Sequence, residues 1–153
     1  PDAGEAVRRL ADVGFDLFIV TNQAGIGRGY YTEEQMHAVN ERVAVEFAKF
    51  GVAFRKIYFA PEAPDQPSRN RKPSPQMLHD ARDEFGIDLD ASYMVGDKVS
   101  DIECGWNAGV KCSVLVRTGY GREHESQLGQ ATGPLAVIDS IADLTNLAIG
   151  QAE

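Results

Sequence analysis

Helix-like and strand-like segments alternate along this chain, and few folds accommodate that order. A helical pattern around Val7 and Leu10 ends at Gly14, and the apolar run at residues 17–20 then reads as a buried parallel strand. Similar strand patterns follow at residues 54–59, 93–95, 111–116 and 135–138, with helical or polar segments between them. The alternation predicts an α/β fold with a doubly wound parallel sheet, whose ligands bind beyond the carboxyl ends of the strands.

The order of segments begins with a helix, whereas a sheet of this kind normally begins with a strand that leads into that helix. We therefore expect that the first strand of the sheet, a central one, is missing. A chain of 153 residues with 43% hydrophobic residues suits one globular domain, and no interdomain linker interrupts it. Residues 1–153 are thus expected to form a single domain core that is incomplete at its N-terminus.

Capping residues predict where several helices begin and end. Thr32 and Gln35 have the spacing of a capping box, Ser74 and Pro75 suit the start of a helix that runs to Phe85, and Ser100 is a candidate cap. The second helix should turn one apolar stripe inward. Its members are Met36, Val39, Val43, Phe47 and Phe50.

Charge and cysteine content exclude several classes of protein. The 15 Lys and Arg against 23 Asp and Glu give a net charge of −8, which disfavours nucleic acid as a partner. Cys104 and Cys112 have neither disulfide-scaffold nor zinc-site spacing, so we expect core thiols in a reducing cytoplasm. No apolar run is long enough to span a membrane, and no pattern specifies an oligomeric state.

Three polar clusters fall at or near predicted carboxyl ends of strands. They are Thr21-Asn22-Gln23, Arg71-Lys72-Pro73, and Gly96-Asp97-Lys98 with Asp101 nearby. A hydroxyl and backbone amides, a cation and a carboxylate are the groups that together hold a phosphoryl group and a magnesium ion. Asp101 could orient Lys72 or a metal-bound water, although it could also simply complement a helix N-terminus.

The three clusters, in this order, resemble the second, third and fourth motifs of the haloacid dehalogenase superfamily. The runs at residues 20–29, 71–73 and 93–98 are similar to its heptose-bisphosphate and histidinol-phosphate phosphatase subfamily. The resemblance implies a Rossmann-like core and a magnesium-dependent phosphatase in which Thr21 and Lys72 are catalytic and Asp97 binds the metal. It implies substrate contacts from Thr21, Asn22, Gln23, Ala24, Arg71, Lys72 and Lys98, with Asp101 and Arg28 supporting them.

Two departures from the subfamily pattern matter. The superfamily's first motif, an apolar strand that ends in Asp-x-Asp and supplies the nucleophile, should lie upstream of Pro1. We therefore expect the chain as printed to be inactive by itself. Asp88-Leu89-Asp90 has the motif's spacing but follows Gly86 and precedes a strand, so we assign it to a solvated loop. The loop at residues 60–70 contains no Cys or His, whereas relatives carry zinc ligands there, so no zinc is expected.

The substrate implied by the resemblance is a small phosphorylated sugar, with D-glycero-D-manno-heptose 1,7-bisphosphate first. Three alternatives remain: the substrate could be histidinol phosphate, it could be some other small phosphomonoester, or the domain could bind phosphate without catalysis.

Gly25, Gly27 and Gly29 do not complete a dinucleotide-binding G-x-G-x-x-G, since residue 30 is tyrosine, and are expected to shape the loop instead. The three histidines are expected on the surface, and Trp106 is expected to pack. The three are His37, His79 and His124.

Overall fold

A computed structural model describes residues 3–150 of the chain. The chain forms two compact units, one made of the described residues up to Ser68 and from Ile141 onward, the other of Arg69–Ser140. Each unit contains helices and its own parallel sheet, which confirms the α/β class. The described strands form one two-stranded sheet and one three-stranded sheet, and no described strand pairs across the two. The expectation of a single domain stays a prediction.

Seven α-helices and five strands are described. The helices are α1 (Ala3–Asp12), α2 (Ala24–Gly27), α3 (Glu33–Ala48), α4 (Gln76–Phe85), α5 (Val99–Ala108), α6 (Gly121–Gln127) and α7 (Leu144–Ile149). The strands are β1 (Phe18–Asn22), β2 (Lys56–Ala60), β3 (Tyr93–Gly96), β4 (Cys112–Val116) and β5 (Leu135–Ile138). Two short 3₁₀ helices precede β3 and α7, at Leu89–Ala91 and Ile141–Asp143. No helix among these is long and apolar enough to cross a membrane.

Both sheets are parallel throughout. In the first unit β1 pairs with β2 so that Thr21 lies opposite Phe59, and in the second unit the order is β3-β4-β5. All five predicted strands are present, and their ends match the prediction or differ from it by one or two residues, as is usual at element boundaries. The shifts of two residues are at the end of β1, which reaches Asn22, and at the start of β2, which is Lys56. The buried core of the second unit includes Met77, Ile102, Cys104, Val114 and Leu115.

The helix caps agree with the sequence at one position and differ at two, since α4 begins at Gln76 with Pro75 as its N-cap, one residue later than predicted from Ser74 and Pro75. Thr32 Oγ1 accepts from the Gln35 amide at 3.2 Å, and Gln35 Oε1 accepts from the Thr32 amide at 2.9 Å, which confirms the capping box. The prediction that Ser100 caps a helix is wrong, because α5 begins one residue earlier, at Val99. The capping carboxylate comes from inside the helix instead, since Asp101 Oδ2 accepts from the Lys98 amide at 3.1 Å.

The apolar stripe of α3 is less buried than predicted. Met36 is 3% exposed, but Val39 is 63% exposed and Phe50 is 40% exposed. Helix α3 ends at Ala48, so Phe50 lies beyond the helical face, and its ring packs over Gly4, where a Cβ atom would overlap it. The prediction for Phe50 is therefore wrong, because it assumed that the helical spacing continues beyond Ala48, where α3 ends.

Candidate active site

The first predicted cluster lies contiguously at the carboxyl end of β1. Thr21 and Asn22 are the last two residues of the strand, Gln23 follows, and Ala24 begins α2. The Gln23 amide donates to the Ala60 carbonyl at 2.8 Å, which extends the pairing with β2 by one residue. Thr21, Asn22 and Ala24 therefore lie on regular backbone, and Gln23 joins the strand to the short helix α2.

A chain of side-chain hydrogen bonds links this cluster to a tyrosine that sequence reasoning did not select. Tyr31 Oη donates to Gln23 Oε1 at 2.5 Å, and Gln23 Nε2 donates to Thr21 Oγ1 at 3.1 Å. The Tyr31 ring fills the space that a Cβ on Gly25 would occupy. Gly25 therefore shapes this loop, as the sequence predicted, by leaving room for the tyrosine.

The loop at residues 60–70 packs against the end of α2. The Gly27 amide donates to the Pro61 carbonyl at 2.8 Å, and a Cβ on Gly27 would lie 2.5 Å from Gln66 Oε1. Gln66 Oε1 in turn accepts from the Ala63 amide at 2.7 Å. Arg28 follows Gly27, is exposed, and lines an open groove of about 470 Å³ beside this loop.

A buried ion pair organises the second and third clusters within the second unit. Lys72 Nζ donates to Asp101 Oδ1 at 2.6 Å, and the two side chains are 9% and 8% exposed. The other oxygen of Asp101 holds the Lys98 amide, so one carboxylate joins the Arg71-Lys72 segment to the Asp97-Lys98 loop. Arg71 directly precedes this lysine in the chain. A Cβ on Gly96 would overlap Asp101, which accounts for glycine at the end of β3.

Asp97 follows β3 and is oriented by a backbone donor. Its Oδ2 accepts from the Tyr120 amide at 3.0 Å, and Gly119, at φ +61°, leaves room for that oxygen. Within residues 3–150, Oδ1 of Asp97 accepts no hydrogen bond. Lys98 Nζ lies 4.9 Å from the centre of the Tyr120 ring, a cation–π distance. The loop thus offers one fixed carboxylate oxygen and one ammonium group.

Magnesium suits such a carboxylate. Mg²⁺ commonly keeps several waters and takes one or two protein carboxylates together with phosphate oxygens. The described part of the chain contains no cluster of three His, Cys, Asp or Glu side chains that could hold a metal ion. Asp97 therefore fits as a single ligand, with its Oδ1 directed away from the hydrogen bond that fixes Oδ2.

His124 is not a simple surface histidine, as the sequence had suggested. Its Nδ1 accepts from the Val99 amide, the first of α5, at 3.1 Å, and its ring meets the Tyr120 ring edge-on at 6.4 Å. Such an amide has no partner inside its own helix, so the histidine satisfies it. Residues 97, 98 and 99 each contact the segment 120–124. No local spacing in the sequence indicates these contacts, because they join residues more than 20 positions apart.

The remaining candidates have structural roles. Cys104 is fully buried, and burial raises the pKa of its thiol to about 12, while Cys112 is half-buried, so only Cys104 is a core thiol. Asp88 and Asp90 are both exposed, as expected, but they belong to a 3₁₀ turn rather than a loop, and Asp88 Oδ1 caps that turn by accepting from the Asp90 amide at 2.9 Å. Trp106 packs on Gly133, as expected, and donates from Nε1 to the Pro134 carbonyl at 2.9 Å.

Comparison with known proteins shows the family. Residues 69–144 match the HAD-hydrolase-like family model. A D-glycero-beta-D-manno-heptose-1,7-bisphosphate 7-phosphatase of Yersinia pestis is 42% identical over 147 residues, which cover 92% of this chain and 76% of the relative. The chain belongs to the haloacid dehalogenase-like hydrolase family. The enzyme of the same name from Escherichia coli K12 is 40% identical over 147 residues, 92% of this chain and 75% of that enzyme.

A solved structure of this hydrolase family supports the same assignment. The D,D-heptose 1,7-bisphosphate phosphatase from B. bronchiseptica, complexed with magnesium and phosphate, matches with a TM-score of 0.90 and 28% identity. The match covers 99% of this chain and 83% of that one. The resemblance drawn from three short motifs and the Rossmann-like α/β core are therefore confirmed. The individual site residues stay predictions.

Proposed function

We propose that this chain supplies the core of a magnesium-dependent phosphate monoester hydrolase whose substrate is D-glycero-D-manno-heptose 1,7-bisphosphate. The observation that carries the proposal is the 42% identity, over 92% of the chain, to an enzyme named for that reaction. The chemistry of the polar clusters supports it, because a hydroxyl, a buried lysine and an oriented carboxylate are the groups that phosphoryl transfer requires. A cytoplasmic location stays a prediction.

The proposed roles follow from chemical type. In the first unit, Thr21 is proposed to donate from its hydroxyl to a phosphoryl oxygen. In the second unit, Lys72 is proposed to balance phosphoryl charge, with its ammonium held in place by Asp101. Asp97 provides the metal ligand, and bound magnesium would neutralise negative charge on the phosphoryl oxygens. Remaining substrate contacts are proposed for Asn22, Gln23, Ala24, Arg71 and Lys98. The attacking aspartate is proposed to come from a segment upstream of Pro1. It would form an aspartyl-phosphate as the sugar oxygen takes a proton and leaves, and water would then hydrolyse that intermediate to release phosphate and restore the aspartate.

The longest native chain that contains these residues is the protein to assay. Heptose 1,7-bisphosphate, histidinol phosphate and p-nitrophenyl phosphate are offered with and without magnesium, and the heptose bisphosphate is expected to have the highest kcat/KM. Asp97→Asn should lose most activity at saturating magnesium, whereas Asp88→Asn, a change of the same type outside the site, should not. A higher kcat/KM for histidinol phosphate would mean that histidinol phosphate, and not the heptose bisphosphate, is the substrate. Binding of phosphate without any turnover would favour a non-catalytic phosphate-binding domain.

A further inference from the structure

The hydrogen bonds among Tyr31, Gln23 and Thr21 have a direction, and that direction decides where the Thr21 proton can go. Tyr31 Oη donates to Gln23 Oε1 at 2.5 Å, and Gln23 Nε2 donates to Thr21 Oγ1 at 3.1 Å. Thr21 is therefore an acceptor toward Gln23. Its own hydrogen points away from the glutamine, and the one acceptor described for it is the Asn22 carbonyl at 3.4 Å, a long and weak bond.

The opposite direction is chemically possible. If the Gln23 amide were rotated by half a turn, its Nε2 would donate to Tyr31 Oη and its Oε1 would accept the Thr21 proton. Thr21 would then have no hydrogen for a phosphoryl oxygen, which is acceptor-only. A phenol is a stronger hydrogen-bond donor than acceptor, so the tyrosine hydroxyl favours the arrangement in which Gln23 presents its oxygen to the ring and its nitrogen to the threonine.

We propose that Tyr31 is a positioning residue that fixes the orientation of the Gln23 amide and thereby keeps the Thr21 hydroxyl proton available for the phosphoryl group. The inference rests on the proposed function, in that Thr21 must contact phosphate. In this proposal Tyr31 acts only through its hydrogen bond to Gln23, and its ring lies in the space left by Gly25.

The test is a double-mutant cycle in the longest native chain, measured as kcat with heptose 1,7-bisphosphate and as the affinity for inorganic phosphate by calorimetry. Tyr31→Phe removes the hydroxyl and keeps the ring. We expect kcat to fall about threefold to tenfold, the range that one net hydrogen bond supplies. Gln23→Ala should lower kcat as well, and adding Tyr31→Phe to it should cause no further loss, because the tyrosine acts through the glutamine.

Two further variants separate positioning from packing. Gln23→Glu places an acceptor on both sides, so the Thr21 hydroxyl must donate to it, and activity should fall below that of Gln23→Ala. Tyr30→Phe is the matched control, since Tyr30 is the neighbouring tyrosine and is 75% exposed, and it should retain wild-type kcat and phosphate affinity.

The outcomes distinguish the two levels of inference. If the longest native chain without substitutions hydrolyses no phosphate monoester, the proposed function fails. If that protein is active but its Tyr31→Phe variant keeps the same kcat, the positioning role is wrong. Losses that multiply in the double variant would also overturn it, because Tyr31 would then act independently of Gln23.

Discussion

Replacing Asp101 with asparagine isolates the charge of the buried ion pair. Asparagine has nearly the same shape and keeps an oxygen that can accept from the Lys98 amide, so the cap of α5 can persist. The lost element is the negative charge 2.6 Å from Lys72 Nζ, in a place where both side chains are less than a tenth exposed. The lysine would then remain a buried cation without that counter-charge.

The expected cost follows from the burial of the pair. Removing one partner of a buried ion pair typically destabilises a protein by 3–5 kcal/mol, whereas an exposed pair contributes less than about 1 kcal/mol. We expect about 3 kcal/mol, the lower end of the range for buried pairs, because Lys72 has further interactions that remain. Replacing both residues, as Lys72→Met with Asp101→Asn, should cost less than the sum of the single changes, since no unpaired charge is left.

Urea unfolding followed by tryptophan fluorescence measures this directly. The chain has a single tryptophan, Trp106, which lies in α5 of the same unit as the ion pair. Glu46→Gln is the matched control, because it removes a carboxylate from an ion pair with Lys49 in which both side chains are more than half exposed. A loss for Asp101→Asn no larger than for the control, or strict additivity in the double variant, would refute the reasoning.

Three further predictions concern the Asp97 loop, zinc and a buried thiol. Gly119→Ala should lower magnesium affinity in a calorimetric titration, because the new Cβ would overlap Asp97; Gly86→Ala, at a similar positive φ of +66° but with no atom nearby, should not. Metal analysis after dialysis should find no stoichiometric zinc, since residues 60–70 contain no Cys or His, and one retained zinc per chain would contradict this. Burial raises the pKa of the Cys104 thiol to about 12, so a thiol reagent at pH 8 should label Cys104 only after urea unfolds the chain, and labelling of Cys104 in the folded protein would contradict this.

Local patterns were sufficient wherever the determining contacts are local. The Thr32 and Gln35 capping box was predictable because both partners lie within one helical turn. The strands were predictable from their continuous apolar runs, which are typical of parallel sheets, although β1 and β5 are half-buried rather than buried. The contact of Asp88 is also local, since its Oδ1 accepts from the amide of Asp90, two residues further along the chain. These features require only the chain and its periodicity.

Contacts between distant segments were not predictable in the same way. His124 had no neighbouring ligand or cap sequence, and its role emerges only because β4 and α6 return the chain to the start of α5. Tyr31 read as an ordinary loop residue for the same reason, since its partner Gln23 and the missing side chain of Gly25 are adjacent only after the turn forms. Motif resemblance proposed residues for phosphate and metal binding, and Asp101 as a partner for Lys72, but it did not select Tyr31 or His124.

The contacts between residues 97–99 and the segment 119–124 also set an order of events during synthesis. Ribosomes synthesise the chain from the N-terminus to the C-terminus. Strand β3 and the first turn of α5 are therefore made before Gly119, Tyr120 and His124, which contact them in the folded protein. Until β4 is paired and α6 has formed, Oδ2 of Asp97 has no Tyr120 amide to accept from, and the first amide of α5 lacks its histidine. The nascent chain therefore acquires an oriented Asp97 only after the segment through His124 has been translated.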